Sequence, residues 1–128
     1  MDDHTSPAAG PAVPTFRSFN EEATRAFYMD FLGFEVLFEH RFEPDFPLYM
    51  GIRLGDCEIH LSEHYGDVMP GGGARIPVPD VHALAEALNV KKYKFSRPGV
   101  TDQPWGEYSM DIKDPNGNRV TFFTPKTA

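Results

Sequence analysis

The chain has 128 residues, of which 41% are hydrophobic and 13% aromatic. This length allows one domain with a substantial core and excludes two independently stable ones. The formal net charge of −7 repels phosphate backbones, so we expect no nucleic-acid partner, whereas a cationic small molecule would be attracted. An acidic surface can also serve solubility alone.

The cysteine content and the length of the apolar runs indicate the cellular compartment of the protein. Cys57 is the only cysteine, so no intramolecular disulfide can form and a reducing environment suits the chain. No apolar run reaches the length of a signal-peptide core or of a membrane span. We therefore expect a cytoplasmic protein without a membrane partner.

Pro, Ala and Gly dominate residues 1–12, which predicts a flexible N-terminal arm. A single domain is predicted after it, over residues 13–125. The domain should begin with a short extended segment at 13–18, because this stretch is followed at once by signals for the start of a helix.

A helix is predicted over about residues 20–32. Its apolar residues recur every four positions, at Ala23, Phe27 and Phe31. Ser18 followed by Glu21 matches a capping box, and Gly33 can take the left-handed conformation that ends a helix.

Three strands are predicted after this helix, at 35–40, 48–54 and 57–62. In the last two strands aliphatic residues alternate with others, so one face should contact the helix and the other should be polar. The apolar face would contain Met50, Ile52, Leu54, Ile59 and Leu61. The polar face would contain Tyr49, Arg53, Glu58, His60 and Ser62.

The second half repeats this order after a glycine-rich linker at 66–74. Its predicted elements are an extended segment at 74–78, a helix with Asp80 as N-cap, and strands at 92–96, 107–113 and 118–123. Pro115-Asn116-Gly117 predicts the turn of a hairpin between the last two strands. On the polar face of that hairpin lie Glu107, Ser109, Asp111 and Thr121.

The order β-α-β-β-β thus occurs twice, which predicts an α+β fold of two modules, 13–65 and 74–125. Together with "AVP", "FYMDFLGFEV" and "DQPWGEYSMDIKDPNGNRVTFF", this order resembles the vicinal oxygen chelate superfamily of glyoxalases, bleomycin-resistance proteins and extradiol dioxygenases. The chain is most similar to the bleomycin-resistance type, over about residues 12–123. The resemblance implies paired βαβββ modules whose mixed or antiparallel sheets form a cup.

The resemblance also implies where the metal ligands of the superfamily's enzymes would fall. These positions correspond to Val13, His60, Arg75 and Thr121. Only His60 among them can bind a divalent metal, because valine does not coordinate, arginine repels the cation and neutral threonine is a poor replacement for a carboxylate. We therefore expect neither a metal nor another cofactor.

Other chemistry has less support in the sequence. A makeshift metal site from Cys57, Glu58, His60 and His64 can be drawn, although these histidines are not spaced as on a helix face. Cys57 shares its strand face with apolar residues, which favours a buried, inert thiol over a nucleophile. Glu107 and Asp111 share a strand face and could act as an acid/base pair, but solvated carboxylates are the simpler interpretation.

A pocket without a metal can still bind a planar cation through aromatic rings and carboxylates. By resemblance to the resistance proteins, Trp105 would form a wall against the planar bithiazole region of the drug, with its positive tail near acidic residues; alternatively, Trp105 only fixes a loop. The further candidate rings are Phe38, Phe46 and Tyr49, and the candidate charges are Glu58, Asp102, Glu107 and Asp111. The remaining candidate ligand-binding residues on the polar strand faces are His60, Ser109 and Thr121.

The resemblance implies a homodimer with clefts between the subunits and with the first strand exchanged between them at Pro14. Proline there can equally begin an edge strand. Two functions follow from the sequence. The first is a non-catalytic protein that sequesters a cationic aromatic antibiotic of the bleomycin group or a related molecule. The second is a metal-dependent lyase, dioxygenase or thiol transferase with rearranged ligands around His60.

Overall fold

The computed structural model describes residues 7–127 and contains two four-stranded mixed sheets, as the two predicted modules require. Each sheet has one parallel strand pair at its edge and two antiparallel pairs. The predicted N-terminal arm lies partly outside the described residues. The described residues before the first strand adopt no regular structure.

The first sheet has the strand order β1-β4-β3-β2. Its strands are β1 (Thr15–Arg17), β2 (Glu35–His40), β3 (Tyr49–Leu54) and β4 (Cys57–Ser62). The predicted alternation is confirmed, since the side chains of Met50, Ile52, Ile59 and Leu61 are buried. β1 pairs in parallel with β4 of its own chain, so an exchange of β1 between subunits stays a prediction.

The first helix begins one residue later than predicted, and its cap differs from the capping box. α1 (Glu21–Arg25) starts at the N-cap Asn20, whose side chain accepts a hydrogen bond from the Ala23 amide at 2.8 Å. The helix continues as a π-helical segment, Ala26–Phe31, and ends at Gly33 with φ of +89°. Ser18 was the wrong cap because Asn20 is the last extended residue before the helix, as an N-cap must be.

The second sheet has the strand order β5-β8-β7-β6. Its elements are β5 (Gly73–Pro77), α2 (Val81–Val90), β6 (Thr101–Gln103), β7 (Glu107–Lys113) and β8 (Arg119–Pro125). Asp80 is the N-cap of α2, as predicted, and its side chain accepts from the Ala83 amide.

The strand predicted at 92–96 is wrong. These residues form turns, with Lys92 at φ of +54°, and the fourth strand of the sheet is β6 instead. The alternation of "KYKFS" has another cause: Tyr93 stacks on Phe31 with ring centroids 4.4 Å apart, and Phe95 contacts Tyr93 edge-on. The aromatic spacing therefore reflects the packing of Tyr93 against the first module and not strand pairing.

The predicted turn after β7 joins the two modules. The buried Asp114 carboxylate accepts hydrogen bonds from the Tyr28 hydroxyl at 2.6 Å and from the backbone amides of Asn116 and Asn118. Asn116 accepts from the Phe19 amide, and the Asn118 side chain donates to a backbone carbonyl of β1. A turn of one module is thus anchored to the helix and first strand of the other.

The buried apolar residues of both modules form one continuous core. Its largest fully buried side chains are Phe16, Phe27, Tyr28, Phe31 and Phe122. Within residues 7–127, no helix is long and apolar enough to cross a bilayer.

Candidate functional site

Each sheet has a polar face opposite the core, and most of the predicted site residues lie on these two surfaces. We define the first face by Phe38, Tyr49, Glu58 and His60, on β2, β3 and β4. We define the second face by Arg75, Glu107, Ser109, Asp111, Thr121 and Phe123, on β5, β7 and β8, with Trp105 in the turn before β7.

Glu58, His60 and Tyr49 form a hydrogen-bonded chain on the first face. His60 Nε2 lies 2.6 Å from Glu58 Oε2, and His60 Nδ1 lies 2.8 Å from the Tyr49 hydroxyl oxygen. Glu58 and His60 are two residues apart on β4, so their side chains point to the same side, and Tyr49 extends from the neighbouring strand. Both ring nitrogens of the histidine are therefore engaged.

Phe38 lies beside this chain and completes an aromatic surface. Its ring is nearly parallel to that of Tyr49, with an interplanar angle of 16° and centroids 6.2 Å apart, and it meets His60 edge-on at 5.2 Å. Gly51 makes this position possible, because a Cβ there would lie 2.3 Å from the Phe38 ring. This role of Gly51 was not predicted, although glycine inside a strand signals close approach of another group.

The second face is organised by an ion pair. Arg75 Nη2 lies 2.6 Å from Glu107 Oε1, and its guanidinium carbon lies 4.3 Å from the centre of the Phe123 ring. The hydrogen bond from Arg75 holds the pKa of Glu107 below its ordinary value against the opposing effect of desolvation, and the indole of Trp105 lowers it further. Glu107 therefore remains a carboxylate in neutral solution.

Trp105 is 65% exposed, in the turn between β6 and β7. A tryptophan that only fixed a loop would be covered by the residues it holds, so this exposure favours the interpretation as a ligand contact. Trp105 lies two residues before Glu107, so the chain supplies a flat ring and a carboxylate at the start of β7.

The other polar residues of the second module already have partners. Asp111 accepts a hydrogen bond from Thr121 at 2.7 Å, and Ser109 accepts from the Gln103 side chain at 2.8 Å. Asp102 forms an ion pair with Lys126. Of the acidic residues predicted to attract a cation, Glu107 and Asp102 are thus neutralised by cations of the chain, whereas Asp111 is bonded to a neutral hydroxyl.

The structure brings together Phe38, Tyr49, Glu58 and His60 on one surface and the Trp105 region on another. Phe46 joins neither group: it lies in the loop between β2 and β3, where Arg41 donates to its carbonyl. Grooves also lie elsewhere among the described residues, including one of about 730 Å³ beside Asn89 and Pro98, one of about 530 Å³ beside Phe19 and Tyr65, and one of about 350 Å³ beside Tyr93 and Phe95. In the single chain, Phe38 and Trp105 are exposed, whereas Glu107, Ser109 and Thr121 of the second face are buried.

The residues at the four superfamily ligand positions do not fit a divalent metal. Arg75 carries a positive charge and is paired with Glu107, and the Thr121 hydroxyl donates a hydrogen bond to Asp111. His60 could coordinate only by releasing Tyr49 or Glu58. Within residues 7–127, no group of three or more His, Cys, Asp or Glu side chains is placed to hold a metal ion.

The makeshift site drawn from the sequence is also not assembled. Cys57 contacts the core, on the side of β4 opposite Glu58 and His60, and burial raises the pKa of its thiol. The ring of His64 lies near that of Phe42, with centroids 6.0 Å apart. Glu107 and Asp111 are each engaged by a different partner, which does not support an acid/base pair.

The chain belongs to the family described as glyoxalase superfamily protein, whose model matches residues 9–128. This result confirms the resemblance to the vicinal oxygen chelate superfamily. At three of the positions where the resemblance would place metal ligands, His60, Arg75 and Thr121 are hydrogen-bonded to neighbouring side chains of the chain.

Solved structures of the same fold include proteins of different function. TnmS3, an antibiotic binding protein from Streptomyces sp. CB03234, is 18% identical over 94% of this chain and 100% of its own, with a TM-score of 0.70. A bleomycin-binding protein complexed with bleomycin is 19% identical over 92% of this chain and 100% of its own, with a TM-score of 0.63. Lactoylglutathione lyase from Agrobacterium tumefaciens is 19% identical over 93% of this chain and 95% of its own, with a TM-score of 0.64. At these identities the similarity shows the fold.

Proposed function

We propose that the protein is a non-catalytic binding protein that sequesters a cationic aromatic antibiotic of the bleomycin group or a related small molecule. The observation that carries this proposal is the exposed Trp105 ring beside the Glu107 carboxylate, on a sheet face whose metal-ligand positions hold Arg75 and Thr121. A flat ring removes apolar ligand surface from water, and the carboxylate favours a positive group. The antibiotic-binding structures of the same fold support the ligand class.

We further infer that two copies of the chain form the complete site. A small-molecule pocket normally encloses most of its ligand, whereas the candidate ring contacts Phe38 (40%) and Trp105 (65%) are exposed in the single chain. Apolar side chains of β2 are also exposed, including Val36 (37%) and Leu37 (40%). A second copy would cover these residues and enclose the exposed rings in clefts. Light scattering over a range of protein concentrations measures the predicted homodimer.

Trp105 supplies a direct test because it is the only tryptophan in the chain. Metal-free and copper-loaded bleomycin are titrated into the full chain while Trp105 fluorescence and thermal stability are followed. We expect a saturable fluorescence change near one ligand per subunit and a raised melting temperature, since a ligand that binds only the folded state stabilises it.

Two variants separate binding at this site from unspecific effects. Trp105→Leu should lower the affinity, measured by calorimetry, about fivefold to thirtyfold, because loss of one stacking ring removes on the order of 1 to 2 kcal/mol. Phe95→Leu removes another exposed ring, 74% accessible and in the turn region after α2, and should bind like the wild type. Unchanged fluorescence and melting temperature up to roughly millimolar drug, about 4 kcal/mol of binding, would reject the bleomycin group.

A further inference from the structure

We propose that Glu58 and His60 hold the Tyr49 hydroxyl as a hydrogen-bond acceptor, so that the first face selects planar ligands carrying an N–H or O–H donor. This selectivity rests on the proposed small-molecule function and narrows its ligand class. It depends on three groups in sequence, Glu58 to His60 to Tyr49, and on the Phe38 ring beside them.

The carboxylate determines where the protons of this chain lie. An ionised Glu58 can only accept, so its 2.6 Å contact with His60 Nε2 places a proton on that nitrogen. A neutral imidazole carries one N–H, and Nδ1 is then an acceptor. The Tyr49 hydroxyl, 2.8 Å from Nδ1, must direct its single proton to the histidine.

The Tyr49 oxygen is left with lone pairs and no proton to offer a ligand. A ligand N–H or O–H placed there gains a hydrogen bond, whereas a ligand acceptor meets the lone pairs and stays unsatisfied. The negative charge of Glu58, at the far end of the hydrogen-bonded chain from Tyr49, additionally favours a donor that is positively charged.

The rings provide the planar surface that accompanies this acceptor. Phe38 and Tyr49 lie nearly parallel, and Phe38 is 40% exposed, so a ligand can contact its free side. The position of the Phe38 ring is restricted by the Gly51 backbone below it and by His60 at its edge. Ring surface and acceptor are therefore held at a fixed separation, which suits an aromatic heterocycle with a ring N–H or an amino group.

The histidine tautomer tests the proton arrangement without any ligand. Long-range nitrogen–proton spectra of the labelled full chain distinguish the two neutral forms, and His60→Gln assigns the signals. We expect the form protonated on Nε2. Glu58→Ala removes the acceptor and should shift the population toward a mixture. A wild-type histidine protonated on Nδ1, or averaging between both forms, would overturn the proposal.

The ligand preference is tested with indole and benzofuran, which are planar, neutral and nearly equal in shape but carry N–H and oxygen, respectively. Indole should bind the wild type about threefold to tenfold more tightly, the effect of one net hydrogen bond. Tyr49→Phe keeps the ring and should abolish this difference while both probes still bind. Tyr108→Phe removes a phenol on the helix-packed face of β7 and should preserve the preference.

Equal affinity of the two probes for the wild type, an unchanged preference in Tyr49→Phe, or no binding of either probe overturns the selectivity. These outcomes are independent of the antibiotic titration. A protein that binds bleomycin but shows no probe preference retains the proposed function and loses the selectivity of the first face. A protein that prefers indole but does not bind bleomycin retains the selectivity of the first face and loses the proposed antibiotic binding.

Discussion

At the scale of single residues, the Arg75–Glu107 ion pair controls how much negative charge the second face offers. Arg75 neutralises the carboxylate that stands next to Trp105, at a contact of 2.6 Å. The pair could not be read from the sequence, because Arg75 on β5 reaches Glu107 on β7 across Phe123 of the intervening β8. Sequence patterns assign residues to faces, whereas contacts across three strands depend on register and strand order.

Arg75→Gln should therefore strengthen the binding of a cationic aromatic ligand several-fold, since it exposes the Glu107 charge to the ligand. The gain should diminish as salt is raised, because an exposed charge is screened by ions. Calorimetric titration with bleomycin at low and high salt measures both effects. Arg119→Gln removes the same charge from an exposed position of β8 and serves as the control. An equal gain in both variants would mean that only net charge matters.

Tyr28 makes the stability of the folded protein depend on pH in the alkaline range. Burial, followed by the neighbouring Asp114 carboxylate, raises the pKa of the Tyr28 phenol well above its ordinary value. The folded protein keeps this phenol neutral, whereas the unfolded chain ionises it near about pH 10. The contribution to stability is thus complete below that pH and is lost as the pH rises above it.

Tyr28→Phe should lower the free energy of unfolding at neutral pH by about 1 to 2 kcal/mol, since it removes the hydrogen bond to Asp114. Above pH 10 the wild type should lose stability faster than the variant, by up to about 1.4 kcal/mol per pH unit for one proton. Urea unfolding across this range measures the slopes. Tyr65→Phe, which changes a 91% exposed residue, should keep the wild-type slope.

At the scale of elements, the alternation of β3, β4, β7 and β8 was sufficient to assign their faces. Leu61 and His60 on β4, or Phe122 and Thr121 on β8, point to opposite sides because side chains alternate along any strand. The strand prediction for 92–96 was wrong for a related reason. Tyr93 and Phe95 also alternate with lysines, but Tyr93 contacts aromatic rings of the first helix and Phe95 contacts Tyr93. β6 was missed because three residues are too few to display a period.

The start of the first helix gives an element-scale prediction. Asn20→Ala removes the side-chain oxygen that accepts from the Ala23 amide, and should destabilise the protein by about 1 kcal/mol. Ser18→Ala should change helix capping little, because Asn20 occupies the cap. Thermal and urea unfolding compare the two variants. A larger loss of helical signal in Ser18→Ala than in Asn20→Ala would favour the capping box predicted from the sequence.

At the scale of the whole molecule, the buried turn after β7 makes the two modules one cooperative unit. Asp114→Ala would leave the Tyr28 hydroxyl and two backbone amides without their acceptor. We expect a loss on the order of 3 kcal/mol, because unsatisfied buried donors each cost about 1 kcal/mol or more. Unfolding followed by Trp105 fluorescence, in the second module, and by circular dichroism should coincide in the wild type. Separate transitions there would show that the modules unfold independently.

The same turn has a consequence for the covalent connection between the modules. The segment that joins β4 to β5 is accessible, with Tyr65 91% and Met69 79% exposed, while the hydrogen bonds around Asp114 cross the module boundary independently of it. A protease that cuts once near Met69 should therefore produce two fragments on a denaturing gel that still migrate together in gel filtration. The peptide link between the halves would then be needed for folding more than for holding the folded halves together. The chain could be divided there to make a sensor from two pieces.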